Sequence, residues 1–300
     1  MTLRHLLPAC VASLMTLSYA DDSDWRYGLP DTGLTPSFFS YEALSNADER
    51  DGGSSFGMQK LGLSVPLSDP RKTGYQRWLL SAELDANLIE LHTAGRIALS
   101  EETMYALNIP IAAVRHYQSG NRLTLAVVPS LASDMGHASG GFTVGGMAYY
   151  RVKYSETFTY SYGAAFSQRY DRSGFVPLVG FDWQMSPEWK LSFSKLDLAL
   201  EYQFNEQLTF GPYVGAISNS WTIHPDNEAY WLRTFSLIAG VKGQYNVASK
   251  GQAKKVIDFA LGATIFSRAK IEEHTWHQDE VLKEYYKPAL YVRLGFDMRF

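Results

Sequence analysis

The chain has 300 residues, a formal net charge of −4 and no basic stripe, which excludes nucleic-acid binding on electrostatic grounds. Aromatic residues make up 14%, yet the mean hydropathy is only −0.18. A helical membrane protein would be far more apolar, and a soluble globule seldom uses so many Tyr and Trp. A wall with one face toward lipid and one toward a polar interior needs both features.

In chain order, residues 1–20 read as a cleaved signal peptide. Arg4 is the positive n-region, Leu6 to Leu17 is mostly apolar, and Ser18-Tyr19-Ala20 ends the leader before Asp21-Asp22. The apolar run is too short for a spanning helix, which needs about 20 residues. Leu7-Pro8-Ala9-Cys10 loosely resembles a lipobox, but too few apolar residues precede the cysteine. Cys10 is the sole cysteine, so the rest of the chain has no thiol for a disulfide, a metal or a nucleophile. That suits an oxidising compartment.

Residues 21–53 read as a periplasmic or lumenal N-terminal segment. Pro36 to Ala43, with Phe38, Phe39 and Tyr41, is an optional extra strand, which would mean that another segment is misassigned. From Ser54 to Phe300 the pattern is period-2 alternation in runs of ~10 residues, the length a tilted strand needs to cross a bilayer. Asn121 to Leu131 shows it well: Leu123, Leu125, Val127 and Leu131 lie on one face, and Arg122, Thr124 and Ser130 on the other. The runs 141–154, 157–168, 174–183, 230–245 and 255–265 alternate as clearly. Those at 54–67, 75–91, 104–115, 189–204 and 207–216 are less regular. With the final strand these make about twelve strands, within a range of ten to fourteen. The predicted fold class is an all-β, transmembrane, antiparallel up-and-down barrel.

With both termini periplasmic, this strand order puts the polar stretches Ser218 to Glu228 and Arg268 to Lys283 outside the cell. It leaves Glu90 to Glu102 as an unusually long periplasmic connection. Asn205-Glu206-Gln207 and Asp171 to Gly174 read as tight turns.

The last run separates a membrane barrel from a soluble β-sandwich or lipocalin-like barrel. Tyr286, Leu290, Val292, Leu294, Phe296, Met298 and Phe300 form one apolar face, with Lys287, Tyr291, Arg293, Asp297 and Arg299 on the other. This resembles the C-terminal assembly signal of Gram-negative outer-membrane proteins, carried here by Leu294, Phe296, Met298 and Phe300. An edge strand must close into the barrel, because an unpaired edge in lipid is very costly. The stretches Gly163 to Arg169, Pro177 to Trp183 and Pro187-Glu188-Trp189 resemble an uncharacterised, domain-of-unknown-function family of bacterial barrels. That likeness implies the fold and no chemistry. Such a barrel implies export to the outer membrane of a Gram-negative bacterium. Its implied partners are outer-membrane lipid and lipopolysaccharide, the barrel-assembly machinery, and small polar solutes.

Three features carry candidate chemistry. Glu83, Asp85, Arg122, Asp197, Glu201, Asp258, Arg293 and Asp297 fall on the lumen side of the register, where charges escape lipid. They line either a narrow pore with an acidic excess or a barrel plugged by paired charges. His137-Ala138-Ser139 has the His-x-Ser spacing of the outer-membrane phospholipase and the lipid A deacylase. The asparagine those families place next is Gly140 here, and the strand order puts the pair at the periplasmic rim, so a flexible turn is the preferred reading. Glu272, Glu273, His274, His277, Asp279 and Glu280 are dense in metal-ligand types but fit no dedicated site spacing, so a solvated loop is preferred. The aromatic stripe Phe158, Tyr160 and Tyr162 reads as a membrane-interface girdle. The expectation is a monomeric barrel without cofactor, metal or catalytic residues, channel-like or structural, with lipid hydrolysis or surface-loop binding as alternatives.

Overall fold

The computed structural model describes residues 37–50, 52–67, 76–92, 101–134, 141–168, 173–194, 196–224, 228–247, 254–273 and 280–299. Among these there is no helix; every regular element is a strand of one sheet. In chain order the strands are β1 (Ser37–Asp48), β2 (Ser55–Pro66), β3 (Gln76–His92), β4 (Glu101–Asn108) and β5 (Ile111–His116). Then come β6 (Arg122–Ser133), β7 (Phe142–Lys153), β8 (Phe158–Gln168), β9 (Ser173–Gln184), β10 (Trp189–Ser194) and β11 (Asp197–Gln203). The last five are β12 (Leu208–Ile223), β13 (Tyr230–Val247), β14 (Lys254–Glu273), β15 (Glu280–Tyr286) and β16 (Leu290–Arg299).

β4 and β5 are one wall strand interrupted at Ile109-Pro110, since both pair β3 on one side and β6 on the other. β15 and β16 are likewise one strand, both paired to β14, with a break at Lys287–Ala289. The wall therefore has 14 strands, closed by an antiparallel ladder between β1 and β16.

This count departs from the expected twelve in two places. Ser37–Asp48, inside the expected N-terminal segment, is the first barrel strand, so the barrel begins before Ser54. The run 189–204 is not one strand but a hairpin, with Ser194 paired to Asp197 around Leu196, whose φ is 70°. Adding β1 inverts the sense of every strand up to β9, and splitting 189–204 restores it afterwards. Hence Ser218 to Glu228 and Arg268 to Lys283 keep their expected end, opposite the termini, but are mostly strand: β12 runs to Ile223, β14 to Glu273, and β15 starts at Glu280. The connections after β3 and after β6 move to that far end as well, which removes the long periplasmic loop.

The outward pleat carries the apolar belt that alternation predicts. Leu125 and Val127 are 46% and 48% exposed, and Leu261, Leu290 and Leu294 are exposed on β14 and β16. No soluble fold leaves such a continuous band bare, and lipid is its natural cover.

The inward pleat is not uniformly polar, as the sequence reading had it. Along β3 it changes from Glu83 and Asp85 to Asn87, Ile89 and Leu91; along β2, from Ser64 and Lys60 to Met58 and Phe56. Met104, Trp221, Ile223, Leu232, Ile271 and Tyr286 join them in one buried cluster. The far half of the interior therefore holds a packed apolar core with a few buried, paired charges set in it, such as Arg233 and Glu272, while Lys60, Glu83 and Asp85 lie toward the end that bears the termini.

Closure differs at the two ends. Thr222 of β12 meets Ser133 of β6 in a parallel bridge, and the Asp134 N–H donates to the Thr222 carbonyl at 3.3 Å. Below that junction the wall widens to take in β7 to β11.

Candidate lumenal site

On the terminal side of the apolar core lies a cavity of about 160 Å³. Its wall comes from β1 (Glu42), β11 (Asp197, Glu201), β12 (Tyr213, Gly215), β13 (Ile238, Lys242), β14 (Asp258) and β16 (Tyr291, Arg293). These residues share the cavity because strand pleat sends alternate side chains to one face. The register then places Arg293 opposite Glu42 on one neighbour and Ala260 on the other.

Four carboxylates face two cations there. Arg293 Nη2 lies 3.6 Å from Asp258 Oδ1, and Lys242 Nζ lies 3.8 Å from Glu201 Oε1. The Tyr291 hydroxyl donates to Glu42 Oε1 at 3.1 Å. Tyr213 is 7% exposed, and its hydroxyl has no hydrogen-bond partner among the described residues. A buried hydroxyl without a partner is costly, so this one suits a site that water or a solute enters.

Three inward aspartates lie over glycines on the adjacent strand. Asp85 is registered with Gly62, and Asp258 with Gly295. Asp197 lies against Gly215, one step beyond the Leu198–Val214 pair. A Cβ on any of these glycines would meet the carboxylate: at 3.0 Å for Gly62, and closer still for Gly215 and Gly295. The glycines leave room for the acids to lie flat along the wall, so the lumen stays open beside them.

The sequence-derived lumenal set divides four ways. Asp197, Glu201, Asp258 and Arg293 line the cavity. Asp85 bonds Lys60 at 2.5 Å on the β2–β3 wall, and Glu83 sits two residues away, opposite Ser64. Arg122 is buried on β6 opposite Arg151, which bonds Asp182 at 2.7 Å; Lys190 reaches the same carboxylate at 2.8 Å. Asp297 pairs through its backbone with Phe38 and Val256, and its side chain lies outside the described residues. Glu42, Lys242 and Tyr213 were missed, and Tyr291 was placed on the inner face of the last strand without being singled out. Glu42 stands on the strand offered only as optional, Pro36 to Ala43, and the neighbours of Lys242, Gly240 and Val241, hide its face.

Of the terminal-strand signal, Leu294 and Phe296 face outward and are exposed, while the side chains of Met298 and Phe300 lie outside the described residues. His137 and Ser139 also lie outside them; the strands they connect, β6 and β7, join at the far end rather than the periplasmic rim. Of the dense ligand stretch, His274, His277 and Asp279 lie outside. Glu272 Oε2 forms an ion pair with Arg233 Nη1 at 2.8 Å and Glu272 also pairs with Lys270, and Glu280 meets Lys270 at 3.2 Å. Among the described residues no three His, Cys, Asp or Glu side chains are grouped for a metal.

The family described as Domain of unknown function (DUF6268) matches residues 36–299, the span of the barrel. The chain belongs to this family. No curated protein matches it. Among solved structures it is similar to the COG4313 outer membrane channel from Pseudomonas putida F1, at 10% identity and a TM-score of 0.46, covering 93% of this chain and 100% of that one. It is also similar to the P. putida toluene transporter TodX, at 11% identity and a TM-score of 0.39 over 95% and 92% of the two chains. A third is Acinetobacter baumannii OccAB4, at 10% identity and a TM-score of 0.33 over 89% and 99%.

Proposed function

We propose that this protein is a channel-like barrel of the outer membrane that holds small polar solutes, cations preferred, in the lumenal chamber. One observation carries the reading: four carboxylates against two cations around a cavity that also offers the unpartnered Tyr213 hydroxyl. A cleft lined by one sign of charge with low-dielectric walls concentrates counter-ions. The apolar core closes the far half, so the protein is a gated binder at rest rather than an open pore.

Gln244 lines the chamber and makes a reporter. The full chain carrying Cys10→Ser and Gln244→Cys is folded into liposomes and treated with methanethiosulfonate reagents. The ethylammonium reagent should react about tenfold faster than the ethylsulfonate reagent, a modest case of field focusing. Neutralising the chamber with Asp197→Asn and Glu201→Gln should bring the two rates together. Equal rates before neutralisation would overturn the reading.

A further inference from the structure

The wall is incomplete beside the chamber. β10 and β11 have 6 and 7 residues, short of the ~9–11 that a tilted strand needs to cross a bilayer. β10 pairs β9 only over Phe181 to Gln184, and β11 pairs β12 no further than Val214. Above the hairpin tip, residues 175–180 of β9 and 215–221 of β12 have no strand partner on the facing sides among the described residues. At that level two wall strands are absent between β9 and β12. The β6–β12 junction at Ser133 and Thr222 closes the gap at its far end.

Pro177 lies in the bare stretch of β9. Proline has no N–H to give a ladder and is confined to strands with an open side. Open strand edges are not tolerated against hydrocarbon, but they are where they line a water-filled cavity. The chamber supplies that cavity: Asp197, at the hairpin tip, and Gly215 to Ile217, on the β12 side, belong both to the chamber wall and to the frame of the gap. On the lipid side the β9 edge shows Phe175, 72% exposed, and Val179.

We propose that this gap is a lateral port through which amphipathic solutes, with an apolar tail and a cationic head, pass between the bilayer and the chamber. The choice of head group rests on the chamber reading above. The apolar rim admits the tail from lipid, the bare backbone edges and water bridge the wall, and the carboxylates receive the head. Such a route needs no opening of the apolar core.

The test uses the same Cys10→Ser, Gln244→Cys chain in liposomes, now with N-decylmaleimide dissolved in the bilayer. Ser218→Trp and, independently, Val179→Trp narrow the port from its two sides without touching the chamber lining. Retained heat-shifted mobility on a detergent gel shows that each variant is folded, and a variant that fails this check is replaced by the other. Either block should slow N-decylmaleimide about tenfold, a barrier rise of ~1.4 kcal/mol, while the water-soluble ethylammonium reagent keeps its rate. Unchanged N-decylmaleimide labelling, or equal slowing of both reagents, would overturn the port. Equal ethylammonium and ethylsulfonate rates would remove the cationic preference while leaving the port standing, so the two ideas fail separately.

Discussion

Asp134 and His224 lock β12 to β6: the imidazole Nδ1 lies 3.0 Å from Asp134 Oδ1, and the His224 N–H donates to Oδ2 at 2.7 Å. Sequence separates the two residues by ninety positions, and five wall strands lie between their elements. The contact makes the far end narrower than the rest of the barrel. Asp134→Ala leaves a part-buried backbone N–H without this acceptor, a loss of about 1–3 kcal/mol. Amide exchange at the end of β12 should accelerate in the variant while that of β1 and β16 does not change. Uniform exchange along the chain would mean that the junction is not a local lock.

A second buried pair stands nearby. Arg233 and Glu272 meet at 2.8 Å with side chains 3% and 4% exposed. Breaking such a pair from one side costs about 3–5 kcal/mol, because a charge stays buried without its counterpart. Arg233→Met should therefore lower the urea midpoint more than the Arg233→Met, Glu272→Met double variant. The two-sided change harms less despite removing more, although Lys270 then loses one partner. A double variant less stable than either single one would refute this.

Glycines in this wall are not equivalent, and stability should separate them. A Cβ on Gly146 meets chiefly the far end of the exposed Phe166 ring, which can swing away, and the Ala126 carbonyl at 3.2 Å. A Cβ on Gly211 meets the Leu200 carbonyl, backbone that cannot move without breaking the β11–β12 ladder. Gly211→Ala should lower the thermal midpoint in detergent by several degrees, and Gly146→Ala should leave it nearly unchanged. Equal effects would show that the β11–β12 approach is soft.

Much of the fold was legible from alternation, and the two misreadings have physical causes. β1 was legible only as an optional strand at Pro36 to Ala43, because its outward run, Phe39, Tyr41 and Ala43, is short and follows a polar stretch. The β10–β11 hairpin was hidden because Leu196, between the paired Ser194 and Asp197, is not Gly, Pro or Asn. One sign was present: the apolar phase slips from Trp189, Leu191 and Phe193 to Leu198, Leu200 and Tyr202, as a two-residue turn demands. The apolar core was invisible for a different reason. Ile89 and Leu91 inside the barrel have the same chemistry as Leu61 and Leu63 outside it, and alternation does not say which face meets lipid. Half of the chamber was legible as inward charge. Its other half depends on cross-strand register, above all the pairing of aspartates with glycines.

Leu196 tests the hairpin directly. Its φ of 70° puts a γ-branched residue in the left-handed region, at a cost of about 1–2 kcal/mol. Leu196→Gly relieves that cost and gives back part of it in chain entropy, about 0.5–1 kcal/mol. A small net gain in the urea midpoint is expected, whereas Leu196→Val should lower it. A loss with glycine would mean that the leucine side chain matters more than its backbone.

Trp221 decides whether the core is the closure. It is 2% exposed and lies in the far half of the lumen with Met58, Leu232 and Ile271. Truncating a buried tryptophan to alanine costs about 3–5 kcal/mol and leaves a void that water can enter where polar groups line it. Asn219 and Thr234, hydrogen-bonded at 3.4 Å, lie beside it and supply such groups. In planar bilayers the unaltered chain should show no steady ohmic steps. Trp221→Ala should show small ones, with a reversal potential that favours cations because the current now crosses the carboxylate-lined chamber. Asp197→Asn and Glu201→Gln, added to Trp221→Ala, should move that potential toward zero without removing the steps. Steady steps in the unaltered chain would show that solutes already pass the core, and the lateral port would then be a second route rather than the necessary one.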